Sequence, residues 1–348
     1  MLEPRLGLHC LIPPYILDAL STSADARVRK LAVDAIEASA TARAVRTTLS
    51  TMPQMAAIPS PKRAKHRLVY DLKGGDFAAL PGKLVRSEGQ GRTKDPAVNE
   101  AYEHSGATYD FYRSVFDRNS LNDQGMSLIS SVHLLRKLNN AFWNGEQMVY
   151  GDGDGRQFIR FTKSLDVVGH ELSPGVVTHT CNLDYHGESG ALNEHFADAF
   201  GIMVKQWKLK QTAAQADWLI GAGIMGPKTK AKGLRTFKAG KAYEDDPVLG
   251  TDPQPKRLKD KYTGTSDNGG VHINSGIPNH AFYLTARRIG GRSWLKAGRI
   301  WYRTLLGLRA NSGFEDMVQT SVAAAAREFG GNSKEHKAVK AAWKEVGF

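Results

Sequence analysis

The chain has 348 residues, 41% of them hydrophobic and 24% charged, enough apolar material for two packed subdomains and a small appendage. No stretch is apolar over the roughly 18 residues a spanning helix needs, so a membrane-spanning helix is excluded. The formal net charge is +12, and the densest basic stretch, 227–243, carries Lys228, Lys230, Lys232, Arg235, Lys238 and Lys241 with only Phe237 as an aromatic. That composition reads as a solvated loop. A nucleic-acid-associated protein would rest on net charge alone, with no motif behind it. Cys10 and Cys181 are two distant cysteines, which do not make a disulfide framework and read as free thiols.

Residues 1–20 contain Pro4, Arg5, Pro13, Pro14 and Asp18 and lack the clean apolar core of a standard secretory signal, so export needs another route. Ile12-Pro13-Pro14-Tyr15 is expected to be extended, because proline fixes φ and biases its predecessor away from the α region. The Ala-rich run 25–49 reads as a helix. The Pro-broken basic segment 52–65 reads as a protease-sensitive linker.

From His66 the pattern turns β-like. Short strands are expected at 67–70, 83–86, 126–133 and within 140–150, with a helix over 99–116 and a turn at 151–155. Helices follow at 165–182 and 191–208, and the remainder is largely helical with irregular loops near 222–270. The fold class is therefore α+β, with a β-rich N-terminal subdomain, a mainly α-helical C-terminal one and a cleft between them, a common place for an active site. The divisions expected are 1–55 for a leading piece and linker, 56–182 for the β-rich subdomain ending in the motif helix, and 183–348 for the helical one.

The motif is Val167-Val168-Gly169-His170-Glu171-Leu172-Ser173-Pro174. A zinc-peptidase helix reads His-Glu-x-x-His, two imidazoles on one helical face with a glutamate that activates the metal-bound water. His170 and Glu171 match it, and Pro174 stands where the second His belongs. Proline offers no lone pair to a metal. Inside a helix it removes the bond to the carbonyl of residue 170, at a cost of roughly 3 kcal/mol or more. Ser173-Pro174 is also a good N-cap and N1 pair, so a helix starting there is an alternative that would leave the site unmade. Of the other histidines, His179 falls on the opposite face, His195 points away from its neighbour Glu194, and His186, between the helices, is the one conceivable substitute ligand.

Glu194 and Asp198 lie four apart on one helix face. Glu194 can ligate a metal, and Asp198 can accept the free N–H of a ligating His, although spacing alone fits a solvated acidic face better. Asp267 to Gly276 is expected to be an irregular Gly-rich loop in which Asp267 can hold His272 in the tautomer that donates to a developing oxyanion, the alternative being a turn with a surface His. Tyr185 is a second donor candidate, or an ordinary buried aromatic. The run 139–145 reads as a strand edge that can pair with an extended peptide.

In this order, Asn140-Ala141-Phe142-Trp143-Asn144-Gly145, Tyr150-Gly151-Asp152-Gly153, Asp166 to Leu172, Ser189-Gly190-Ala191-Leu192-Asn193-Glu194 and Asp267 to Gly276 resemble the thermolysin-like metallopeptidases over 66–348. The piece with Pro13-Pro14-Tyr15 resembles the short propeptide of the protealysin-like branch. The resemblance implies His170 and Glu194 as zinc ligands, Glu171 as general base, and Tyr185 and His272 as oxyanion stabilisers with Asp267 orienting His272. It implies Asp198 and Asn193 behind the ligands and Asn140, Ala141 and Arg235 as binders of substrate backbone. Leu234 is then placed beside the pocket for the residue after the scissile bond, which prefers bulky apolar side chains. The resemblance implies structural calcium, which the family often uses, but the carboxylates for it are mostly missing: Asp166 and Asp217 remain, while Lys205, Leu219 and Ala222 occupy positions where acids are expected, which argues against calcium here.

Two functions follow. One is a monomeric zinc-dependent neutral endopeptidase acting on proteins or peptides, made as a zymogen and inhibited by its own propeptide, with Cys10 an option as a zinc-capping thiolate. It would be secreted without a standard signal, or else cytoplasmic. The other is a pseudoprotease that keeps the cleft and the Asn140 and Arg235 clamp but does not hydrolyse, because Pro174 replaces the second His.

Overall fold

The computed structural model describes residues 9–51 and 64–348, so the expected linker lies almost wholly outside the described residues. The leading piece contributes strand β1 (His9–Cys10), helix α1 (Pro14–Ser21) and helix α2 (Ala26–Thr51). The expectation for 12–15 is corrected in part. Pro13 is extended, at φ −63° and ψ 152°, but Pro14 already opens α1, where a missing N–H costs nothing. Leu11, Ile12, Ile16, Leu17 and Leu20 are buried in the same core as the rest of the molecule, together with Val28, Ala32 and Ala35 of α2.

The β-rich part follows as β2 (Arg67–Asp71), β3 (Lys83–Ser87), α3 (Pro96–Phe116), β4 (Leu128–Val132), β5 (Ala141–Trp143) and β6 (Met148–Tyr150). The six strands form one mixed sheet in the order β1-β5-β6-β4-β2-β3. Strands β2 and β4, and β4 and β6, run parallel, while β1 adds antiparallel to β5 with Cys10 opposite Phe142. The strand edge expected at 139–145 is therefore covered by the chain's own N-terminal piece.

Helix α4 (Leu165–Thr178) carries the motif and ends earlier than expected, and α5 (Gly187–Lys208) begins earlier. The two pack closely because both present glycine at the crossing. A Cβ at Gly201 would stand 2.6 Å from the Asp166 carbonyl oxygen and 2.8 Å from the His170 nitrogen, distances no real Cβ tolerates. After the ribbon β7 (Leu219–Ile220) and β8 (Arg235–Thr236) come α6 (Ser266–Asn274), α7 (Gly276–Ile289), α8 (Ala297–Leu305), α9 (Phe314–Phe329) and α10 (Lys334–Val346). The run 267–276 is corrected from a loop to a helix with a left-handed entry: Asp267, Asn268, Gly269 and Gly270 all have φ between 51° and 81°.

The β-rich part is tied together at His133, a non-glycine residue at φ 61°. Its Nδ1 lies 2.8 Å from Asp152 and its Nε2 2.8 Å from Asp95, the residue whose side chain caps α3. With a carboxylate at each ring nitrogen, both nitrogens must donate, and Asp152 first, then Asp95, push the imidazole up to about 9 against the opposing effect of burial. A folded value above the unfolded 6.5 stabilises fully below 6.5 and ceases to do so as pH rises through about 9. The contribution is at most about 3 kcal/mol, less what solvent screens. Urea unfolding of the wild type beside His133→Gln should show a stability gap at about pH 6 that shrinks toward about pH 10. A gap independent of pH would rule out the doubly paired imidazolium.

Candidate active site

The motif helix is continuous. Pro174 sits inside α4, buried, so the alternative of a helix starting at Ser173 does not hold. The Ser173 hydroxyl donates back to the Gly169 carbonyl at 2.6 Å and meets the Tyr112 hydroxyl at 2.8 Å, which occupies it away from any capping role. The His170 carbonyl faces a residue with no N–H to return.

The close crossing of α4 and α5 brings His170 against Glu194 and Asp198, all three buried. His170 Nδ1 lies 2.8 Å from Asp198 Oδ1, which fixes the ring with Nε2 toward the cleft. Nε2 is 3.6 Å from Glu194 Oε2 and has no hydrogen-bond partner among the described residues. Asp198 also accepts from Arg235, at 2.8 Å from Nη2 and 2.9 Å from Nε, and from Asn279 Nδ2 at 2.9 Å. Burial opposes its ionisation, but Arg235 and then His170 overcome that and hold the carboxyl well below its ordinary range. Arg235 is itself buried, so the basic stretch 227–243 is not wholly a solvated loop as expected.

Glu171 is fully buried, and its carboxyl is raised well above the ordinary value by burial first, then by Cys10 and Glu194. His272 Nδ1 lies 2.6 Å from Asp267 Oδ1, and the same carboxylate accepts from the His272 backbone N–H at 2.8 Å. Burial disfavours the charged ring, yet Asp267 and Glu194 carry it well above its usual value, so Nε2 is a donor. Tyr185 donates to Glu194 Oε1 at 2.5 Å and stands 3.3 Å from His272 Nε2.

What occupies the cleft is the chain's own N-terminal strand. His272 Nε2 donates to the Cys10 carbonyl at 3.2 Å, and the Leu11 N–H donates to the Ala141 carbonyl at 3.3 Å. Arg235 Nη1 donates to the Leu11 carbonyl at 3.2 Å, and the Ile12 N–H donates to Asn140 Oδ1 at 3.1 Å. Every contact is to backbone, and together they bracket the Cys10–Leu11 peptide bond.

The structure thus brings together His170, Glu171, Glu194, Asp198, Tyr185, His272, Asp267, Asn140, Ala141 and Arg235. Asn193 instead donates to the Leu183 carbonyl at 3.2 Å, and Leu234 is buried on the turn before β8. His186 is exposed at the start of α5 and does not replace a ligand. His195 is locked away from the cleft between Asn279 and Trp301, its ring pushed down to about 4 by burial. The sequence reading missed the cleft-bound register of Cys10, Leu11 and Ile12, whose one signal is the apolar run before Pro13, and it missed Asn279, for which the sequence gives no signal.

A helix pair presenting His170, Glu171 and Glu194 beneath an extended, backbone-held peptide defines the class: a metalloendopeptidase with a precursor segment in its cleft. The chain belongs to the thermolysin family. The family's catalytic domain matches residues 50–178 and its alpha-helical domain residues 181–348. It is 51% identical over 271 residues to an extracellular metalloprotease of Pectobacterium carotovorum subsp. carotovorum, covering 77% of each chain. It is 49% identical over 287 residues to protease PrtS of Photorhabdus sp. (strain Az29), covering 81% of this chain and 76% of that one. The solved precursor of protealysin, a metalloproteinase from Serratia proteamaculans, superposes with a TM-score of 0.88 at 44% identity over 97% of this chain and 99% of that one.

Family membership implies zinc, but the donors here fall short of it. A catalytic zinc takes three protein ligands and a water. Nε2 of His170 and the Glu194 carboxylate converge, Pro174 supplies nothing, and no group of three His, Cys, Asp or Glu placed to hold a metal ion is found among the described residues. Cys10 does not complete the set, because its Sγ–H is directed at the Ile12 carbonyl at 3.6 Å.

The buried pair Asp198 and Arg235 makes a stability prediction. Arg235→Met leaves the Asp198 carboxylate uncompensated and should cost about 3–5 kcal/mol in urea unfolding. Adding Asp198→Asn removes the orphaned charge and should return part of that loss. A double variant less stable than the single one would contradict the pairing.

Proposed function

We propose that this cleft is that of a neutral zinc endopeptidase made as a zymogen, cutting before bulky hydrophobic residues, and that Pro174 is what separates this chain from hydrolysis. The observation that carries the reading is the strand in the cleft. Its backbone is held in one direction by Asn140, Ala141, Arg235 and His272, and side-chain-independent contacts of this kind suit a general peptide substrate. In this register Cys10–Leu11 takes the place of the scissile bond, and Leu11, apolar and fully buried, the place of the residue after it. The same strand fills the site, which is how the precursor is kept inactive, and cutting between it and the catalytic part would release it. Because one relative, that of Pectobacterium carotovorum, is named extracellular, we extend that location to this chain.

The roles follow from placement. His272, kept protonated by Asp267, offers Nε2–H to the carbonyl oxygen of the bond to be cut, where charge develops. Tyr185 stands beside it. Glu171, buried under the same bond with a raised carboxyl, can take and return a proton at its carboxylate. Asp198 holds the His170 ring in place, and Arg235 links Asp198 to the Leu11 carbonyl. His170 and Glu194 are the metal donors the chain retains.

A second reading, a peptide-binding protein without hydrolysis, is favoured by Pro174 seated in an unbroken helix with no third donor among the described residues. Casein hydrolysis by the processed protein beside its Pro174→His variant, each with and without a zinc chelator, separates the two. The His variant is expected to cleave at least 100-fold faster, on the order of a lost catalytic group, and to stop with the chelator. A folded, processed His variant that leaves casein intact would favour the peptide-binding reading, and equal cleavage by both chains would refute the ligand assignment.

A further inference from the structure

Calcium is the other ion the family implies, and here too the residues do not fit. At the start of α4, Asp166 is fully buried, with one carboxylate oxygen taken by the Ser164 hydroxyl and the other accepting from the Gly221 N–H at 2.8 Å. Asp217 faces it from the loop that leads into β7. Calcium takes six to eight oxygens, and charge sets its affinity. The oxygens here come from two carboxylates and the Leu219 carbonyl, and a cation already sits among them. Lys205 of α5 places Nζ 2.9 and 3.1 Å from the two Asp217 oxygens, 3.3 Å from the Leu219 carbonyl and 3.9 Å from Asp166 Oδ2.

We propose that the Lys205 ammonium takes the place of a structural divalent cation, fastening the 217–221 loop to the N-terminus of the motif helix so that this corner of the protein is stable without calcium. Three pieces of chain meet at the one charge: α5 through the lysine itself, α4 through Asp166, and the loop through Asp217 and Leu219. The ammonium carries one positive charge against two carboxylates, and Asp166 keeps its remaining demand satisfied by Ser164 and Gly221. The Lys205 side chain is 15% exposed and Asp217 44%, so solvent screens that contact in part, whereas Asp166 on the other side of the ammonium is buried. Because the lysine is covalently attached, a chelator cannot remove it, and a second cation entering the corner would meet its repulsion.

Thermal unfolding of the full-length protein, dialysed free of calcium and then measured with and without calcium chloride at constant zinc, tests this. The wild type should unfold at the same Tm in both. Lys205→Met should unfold a few degrees lower, with no response to calcium. Lys205→Glu, which adds a third carboxylate in place of the charge, should unfold lowest without calcium and regain Tm as calcium is added. The proposal is overturned if the wild type gains Tm with calcium, or if Lys205→Met is as stable as the wild type. It is equally overturned if Lys205→Glu folds but shows no calcium response, which would reduce Lys205 to an ordinary ion pair.

Discussion

One buried carboxylate organises the centre of this molecule. Asp198 on α5 receives the His170 ring from α4, the Arg235 guanidinium from β8 and the Asn279 amide from α7, and each of these elements reaches it from a different direction. An unpaired charge at that depth would be costly, so the arrangement is held as a unit. Its consequences run outward in both directions. Through His170 it sets where a metal donor points, and through Arg235 Nη1 it reaches the backbone of the N-terminal strand. The close crossing at Gly169 and Gly201 is what lets α4 and α5 approach far enough for the first of these contacts.

Against that intact network, Pro174 is a local change with a large effect. It sits within a continuous α4 among buried neighbours and offers no metal donor. The groups that hold a peptide backbone (Asn140, Ala141, Arg235 and His272) are all engaged with the Cys10 to Ile12 strand, so recognition and metal binding are separable in this fold. The N-terminal strand, held through its backbone by these groups, does not depend on a metal for its seat. The buried apolar face of α1 and α2 adds to its hold.

Much of the site was legible because its chemistry demands particular residue types at fixed spacing. His170 with Glu171, Glu194 with Asp198, and Asp267 before His272 are each ambiguous alone and are placed by their resemblance, in order, to the thermolysin-like family, and the structure brings them together. Contacts made across long sequence separation were less so. Nothing in the sequence marks Asn279 as a partner of Asp198, or ties Asp95 and Asp152 to His133. The exposed, basic reading of 227–243 failed at Arg235 because composition does not show which of several cations finds a buried carboxylate. The reading of Pro14 failed because proline is as welcome at the first helical position as in an extended strand. The β-rich and helical halves were legible from period and turn residues, whereas the left-handed entry of α6 is set by tertiary packing around Gly269 and Gly270.

The central claim is that the chain retains a complete peptide-binding cleft with a zinc donor set one ligand short. Titrating zinc into the metal-free protein and its Pro174→His variant, in competition with a chromophoric chelator, tests it most directly. The account predicts one tightly held zinc in the His variant and binding at least tenfold weaker in the chain with Pro174, the order lost with a single metal-site contact. Equal affinity in the two proteins would contradict it, and would mean that a third donor reaches His170 and Glu194 from elsewhere in the chain.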